Sequence, residues 1–189
     1  MNHTNKPLYI NMETGEPLSE KPESMTQLRG NLLVTKTHPQ ILLRGKLDTL
    51  AALFLQTQIM AQREELPLLA KELEELLQFV YQLLSAEVTE KPLTEIKLLG
   101  LDGSRLREAS HEVKKYFGIE HPTPDASMGA LFAQLNYLRT QVRETELAAN
   151  GAFLKDGVCT RPDLIKGLNR LSSAVYILMC KKLSGAYKS

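Results

Sequence analysis

The chain has 189 residues, 43% of them hydrophobic, and its 23 lysines and arginines against 22 aspartates and glutamates leave a net charge of +1. That length suits one domain with a sizeable core, and the near-zero charge excludes a global field that would draw the chain to nucleic acid or to an anionic membrane. No apolar run approaches the roughly 18 residues of a membrane span, and Met1-Asn2-His3-Thr4-Asn5-Lys6 has neither a signal core nor an Arg-rich transit pattern, so a cytoplasmic protein is expected.

Residues 1–30 carry Pro7, Pro17, Pro22, Gly15 and Gly30 among polar residues, which predicts an irregular N-terminal arm with at most a small strand and turn at Tyr9-Ile10-Asn11 and Glu13–Glu16. Residues 31–189 then read as one helical-bundle domain. Leu43, Leu47, Leu50 and Phe54 have the period of an amphipathic helix running to about Arg63. Pro67 interrupts the pattern, and Leu69, Leu73, Leu76, Val80 and Leu83 resume it as a second long helix. A Pro-containing link, the Gly100-Leu101-Asp102-Gly103 turn and a helix capped by Ser104 follow. Asp125 and Ser127 are further candidate caps. A long helix is expected from about Met128 to Asn150 on Leu131, Leu135, Leu138 and Val142, closed by Gly151. The last begins at Pro162 and carries Leu164, Leu168, Leu171, Val175 and Leu178. The fold class is therefore all-α: an up-and-down bundle of four long helices with one or two short ones.

Cys159 and Cys180 are the only cysteines, and His3, His38, His111 and His121 form no HxxxH pair, so neither a disulfide framework nor a resident transition-metal site is expected. The feature that asks for an explanation is polar. Asn136, Arg139, Arg143 and Glu146 recur at steps of three, four and three, about 100° around the helix from the apolar stripe. One reading is a solvated face on which Arg143 bridges to Glu146, an interaction of at most ~0.5 kcal/mol. The other is a polyphosphate site, because two arginines one turn apart present fixed N–H donors to one spot. Asn169, Ser172, Ser173 and Tyr176 form a second polar edge on the last helix, and Asp48 on the first has Arg44 four residues away. GxxxxGK[ST], GxGxxG and GxSxG are all absent. Lys36, in Val34-Thr35-Lys36-Thr37-His38, is the candidate loop cation.

Arg139-Thr140-Gln141-Val142-Arg143-Glu144-Thr145-Glu146, Arg161-Pro162-Asp163 and Asn169-Arg170-Leu171-Ser172-Ser173 closely resemble the ethanolamine-utilisation corrinoid adenosyltransferases. His121–Gly129 and Thr35–Leu50 are also similar to that family, so the likeness spans about residues 25–183. A more distant likeness joins it to the propanediol-utilisation type.

The resemblance implies transfer of the 5′-deoxyadenosyl group of ATP to cob(I)alamin, with triphosphate released and Mg²⁺ accompanying the nucleotide. It implies a catalytic pair of Asp48 and Arg143, and ATP contacts from Arg139, Arg143, Glu146 and Asn169. Leu147 stands where the related type has another arginine, so Lys36 or Arg44 is expected to supply that contact. Phe117, His121 and Met128 are the candidates to face the corrinoid. Some ethanolamine-type members carry a His and Cys cluster near the N-terminus, and this chain has no cysteine before Cys159. A homo-oligomer is implied, a trimer in preference to a dimer, and association with a bacterial microcompartment is left open. The alternative function is a non-catalytic helical module that binds a partner helix or a protein shell. RNA binding through Arg139 and Arg143 is disfavoured by the balanced charge and by the absence of an aromatic stacking platform.

Overall fold

The computed structural model describes residues 8–187. His3 and the Met1–Lys6 start, on which the reading of a leaderless chain rests, lie outside them. Four long helices carry the fold: α1 (Pro39–Arg63), α2 (Pro67–Thr89), α5 (Ala130–Phe153) and α6 (Pro162–Ser184). Each buries the apolar stripe read from its sequence. Proline at the start of α1, α2 and α6 suits a first turn whose N–H groups have no helical partner.

Helix α1 packs against α2 and α5, α6 packs against α5, and α2 meets α6 to close the ring. All neighbours run antiparallel. Lys46 reaches Glu144 while Gln134 reaches Thr57, which fixes the relative direction of α1 and α5. Across the α2–α6 seam, Lys181 pairs with Glu72 at one end, and Gly167 lies against Leu83 at the other. A Cβ at Gly167 would stand 2.8 Å from Leu83 and 2.9 Å from Leu93, so glycine permits the close approach. Among the described residues no helix is long and apolar enough to cross a membrane.

The structure bears out the strand expected at Tyr9–Asn11 and corrects the expectation that the rest of the arm is irregular. Residues 9–35 form a four-stranded sheet of β1 (Tyr9–Asn11), β2 (Pro17–Leu18), β3 (Met25–Arg29) and β4 (Leu32–Thr35), in the order β2-β1-β4-β3. Strands β1 and β4 run parallel and the other pairs antiparallel. Leu28, Leu33 and Val34 are its buried side chains, Leu33 and Val34 on opposite faces of β4. The sheet is tied to the bundle by Arg44, which donates to the Leu28 carbonyl at 3.0 Å, and by the pair Arg29–Glu90. Two short ribbons, β5 (Lys97–Leu98) with β6 (Leu101–Asp102) and β7 (Leu154–Lys155) with β8 (Val158–Cys159), complete the strand content of the described residues. The molecule is thus mostly helical with small sheets, not purely α.

Two short helices, α3 (Gly103–His111) and α4 (Val113–Phe117), lie against α6. Asp102, not Ser104, caps α3, accepting from the N–H groups of Ser104 and Arg105 at 2.9 Å. Asp125 accepts from Ser127 at 2.7 Å as expected, but Ser127 lies inside the short 3₁₀ turn Ala126–Met128. Gly151 does not end α5, which continues to Phe153; the left-handed turn residues are Asp156 and Gly157, in the ribbon that follows.

Candidate functional site

The polar stripes of α5 and α6 face one another across a groove. Arg139 and Arg143 line a cleft of about 250 Å³ with Asn169, Ser172, Ser173 and Tyr176, and Ser110 and His111 at the end of α3 close one side. This cleft opens into a chamber of about 630 Å³ that shares His111, Asn169 and Ser173 with it and adds Arg107, Glu146, Lys166 and Arg170.

The guanidinium groups are prepared rather than neutralised. Asn136 accepts from Arg139 Nε at 3.3 Å and from Nη2 at 3.1 Å, fixing the plane of that side chain. Burial, and then the neighbouring Arg143, lower the pKa of Arg139, opposed by Tyr176. Among the described residues neither Arg139 nor Arg143 makes an ion pair. Arg143 is exposed but does not bridge to Glu146. Glu146 instead accepts from Asn169 Nδ2 at 3.0 Å, linking α5 to α6 beside the arginines.

Other predicted residues fall elsewhere. Asp48 is exposed on α1, and it forms no pair with Arg143 or with Arg44 within the chain. Arg44 is committed: its Nε donates to Glu87 at 2.5 Å, and the Glu87 carboxylate is wholly buried. Within this protomer Arg44 is thus engaged by Glu87 and does not line the groove. Lys36 is exposed in the turn between β4 and α1, outside the groove.

Of the three residues expected to face a corrinoid, Phe117 and Met128 are partly buried against the core. His121 reaches the groove through Tyr176. Its Nε2 lies 3.1 Å from the His111 carbonyl, which only accepts, so Nε2 carries the proton. When the ring is neutral, Nδ1 then accepts the Tyr176 hydroxyl at 2.9 Å. The segment 118–128 is thereby fastened to the wall of the Arg139 cleft.

Arg107, Lys166 and Arg170 of the chamber were not among the residues expected from sequence. Lys166 and Arg170 lie on the face of α6 beside Asn169, at steps of three and one, which is a usable signal. Arg107 has no such signal, because it joins the groove only when α3 folds over α6. Among the described residues no group of three His, Cys, Asp or Glu side chains converges as metal ligands would.

Fold and groove define a helical-bundle protein with a cation-lined cleft between its third and fourth long helices. Residues 18–182 match the family model described as cobalamin adenosyltransferase, and the chain belongs to that family. It is 34% identical over 165 residues to the corrinoid adenosyltransferases EutT of Salmonella typhimurium and of two Escherichia coli strains, K12 and O6:H1. The match takes in 87% of this chain and 60% of each relative, so the chain spans about three fifths of their length. No solved structure matches it.

Proposed function

We propose that the protein transfers the 5′-deoxyadenosyl group of ATP to the cobalt of cob(I)alamin, releasing triphosphate and supplying coenzyme for ethanolamine breakdown. The observation that carries this reading is the pair of unpaired guanidiniums, Arg139 and Arg143, facing Asn169 across the groove of a family member. In the reaction a cobalt electron pair attacks the ribose C5′. The Co–C bond forms as the C5′–O bond breaks, and the electron pair of that bond leaves on the triphosphate.

Cob(I)alamin is itself a strong nucleophile, so no protein base is needed. The protein's part is alignment and stabilisation of the departing charge. Arg139, held in plane by Asn136, and Arg143 one turn on suit the phosphates, and Asn169 and Glu146 beside them suit further contacts to the nucleotide. Mg²⁺ is usually held by substrate phosphates with one or two carboxylates, and Glu146, the one carboxylate lining the groove, fits that demand. Bound there, the ion would screen the triphosphate. Phe117, Met128 and His121 belong to the segment we assign to the corrinoid side.

Asp48 and Lys36, exposed and away from the groove of their own protomer, are assigned to the site of a neighbouring copy in a homo-oligomer, a trimer in preference to a dimer. Asp48 then pairs with Arg143 of that copy, and Lys36 offers a phosphate contact. A cytoplasmic setting, with or without a microcompartment, suits both substrates. Phosphorus NMR of the products tests the reaction type. Inorganic triphosphate, or its hydrolysis products appearing only after it, is expected; ADP or AMP as the primary product would contradict the reading.

A further inference from the structure

We propose that Arg107 of α3 and Arg170 of α6, with Lys166, form a second phosphate subsite that receives the far end of a polyphosphate whose near end lies on Arg139 and Arg143. The proposal rests on the nucleotide reading of the groove and assigns a selectivity within it.

The first observation is charge without counter-charge. Among the described residues none of these three cations makes an ion pair, although Arg44 and Arg161 each take a carboxylate. The single carboxylate of the chamber, Glu146, is engaged by Asn169. The second observation concerns Arg170. Its Nε is buried and has no acceptor. Its aliphatic stem runs 3.6 Å from the Cβ position of Gly103 at the start of α3, so the side chain is laid beneath that helix. Burial first, and then the neighbouring Arg107, lower the pKa of the Arg170 guanidinium, with Glu146 alone opposing. A buried donor without an acceptor and two guanidiniums that repel are both relieved by an anion.

Position along the groove sets which anion. The Arg139 cleft and the Arg107 chamber share Asn169 and Ser173, so the two cation sets are consecutive along one surface. A monophosphate is satisfied by the first set alone. Only a chain of phosphates engages both, and charge gathering on a departing triphosphate would be met at both ends. Leu147, on the outer side of α5 and 70% exposed, has no part in this. The extra cations reach the groove from α3 and α6 instead.

The test is calorimetric titration of the whole chain with ATP, AMP and inorganic tripolyphosphate, without corrinoid. Arg107 is exposed, so Arg107→Gln should fold. We expect it to weaken ATP and tripolyphosphate by roughly 10-fold or more, as loss of a charge-assisted contact does, and AMP by less than about 2-fold. Arg107→Lys should recover part of the loss. In the absence of ligand the melting temperature of Arg107→Gln should stay level or rise, since a repulsion is removed. Wild-type affinity of Arg107→Gln for both ATP and tripolyphosphate would overturn the subsite while leaving an Arg139-dependent nucleotide site intact. Failure of the wild-type chain to bind either ligand would overturn the nucleotide reading of the groove and the subsite with it.

Discussion

Asn169 Nδ2 donates to Glu146 Oε1 at 3.0 Å, joining α6 to α5 at the point where the arginine cleft opens into the larger chamber. The bond holds Glu146 toward Asn169 and leaves Arg143 without a carboxylate. Asn169→Asp would set two carboxylates against each other beside the proposed phosphates. ATP affinity should fall by at least ~10-fold in titration calorimetry. The melting temperature without ligand should change little, because Asn169 is exposed.

Among the described residues Glu87 is the one acidic side chain fully buried, and it answers to Arg44 at 2.5 Å and to Gln40 at 3.3 Å. Removing one member of a buried pair leaves the other charge uncompensated, typically at a cost of about 3–5 kcal/mol. Urea unfolding of Glu87→Ala should show a loss of that size, with Glu87→Gln milder because the amide still accepts from Arg44. Asp48→Asn should leave stability of the isolated protomer unmoved, since its carboxylate has no partner within the chain. An equal loss in Asp48→Asn would contradict this division between a structural and an assembly carboxylate.

Acid stability should report Asp163. Burial pushes its carboxyl up, but hydrogen bonds from Arg161 at 2.9 and 3.0 Å and from the Leu93 N–H at 2.9 Å outweigh it, so the pKa sits at about 2. A carboxyl depressed in the folded state contributes stability above its unfolded value near ~3.9 and loses it as pH falls toward the folded one. After discounting for solvent screening the contribution is about 1–2 kcal/mol at neutral pH. The stability gap between wild type and Asp163→Asn should therefore be full at pH 6 and shrink between about pH 4 and pH 2. A gap that does not change with pH would show that the lost hydrogen bonds, not the charge, carry it.

If Asp48 serves a neighbour's groove, two inactive variants should repair one another. Mixed oligomers of Asp48→Asn and Arg143→Ala chains, unfolded and reassembled together, contain some interfaces where both groups are native. Random pairing makes that about a quarter of the sites, and activity should recover in proportion. Recovery absent from verified mixed oligomers would place both residues in the site of a single protomer or remove Asp48 from it.

The four long helices were legible because each stripe, such as Leu69, Leu73, Leu76, Val80 and Leu83, keeps its period over several turns and proline marks three of the starts. Of the β-sheet only the strand at Tyr9–Asn11 and the turn after it were read, since β2 is two residues long and too short for alternation to show. One signal was there: Gly30-Asn31 between Met25–Arg29 and Leu32–Thr35 is a two-residue hairpin turn, with Gly30 at φ +51°. In the site, Arg139, Arg143 and Asn169 were readable because helical spacing alone puts them on two facing edges. Arg107 depends on where α3 docks, which spacing does not encode. The pairing of Arg44 with Glu87 was not readable, because Glu87 lies on another helix, 43 residues away.

The central claim is tested most directly by the reaction itself. Purified chain with ATP, Mg²⁺ and chemically reduced cobalamin, kept free of oxygen, should convert the cob(I)alamin spectrum to that of adenosylcobalamin, and Arg139→Ala should slow the conversion by ~100-fold or more at fixed subsaturating ATP. A spectrum that stays that of cob(I)alamin while ATP still raises the melting temperature would contradict the account, leaving a nucleotide-binding bundle that does not form the Co–C bond.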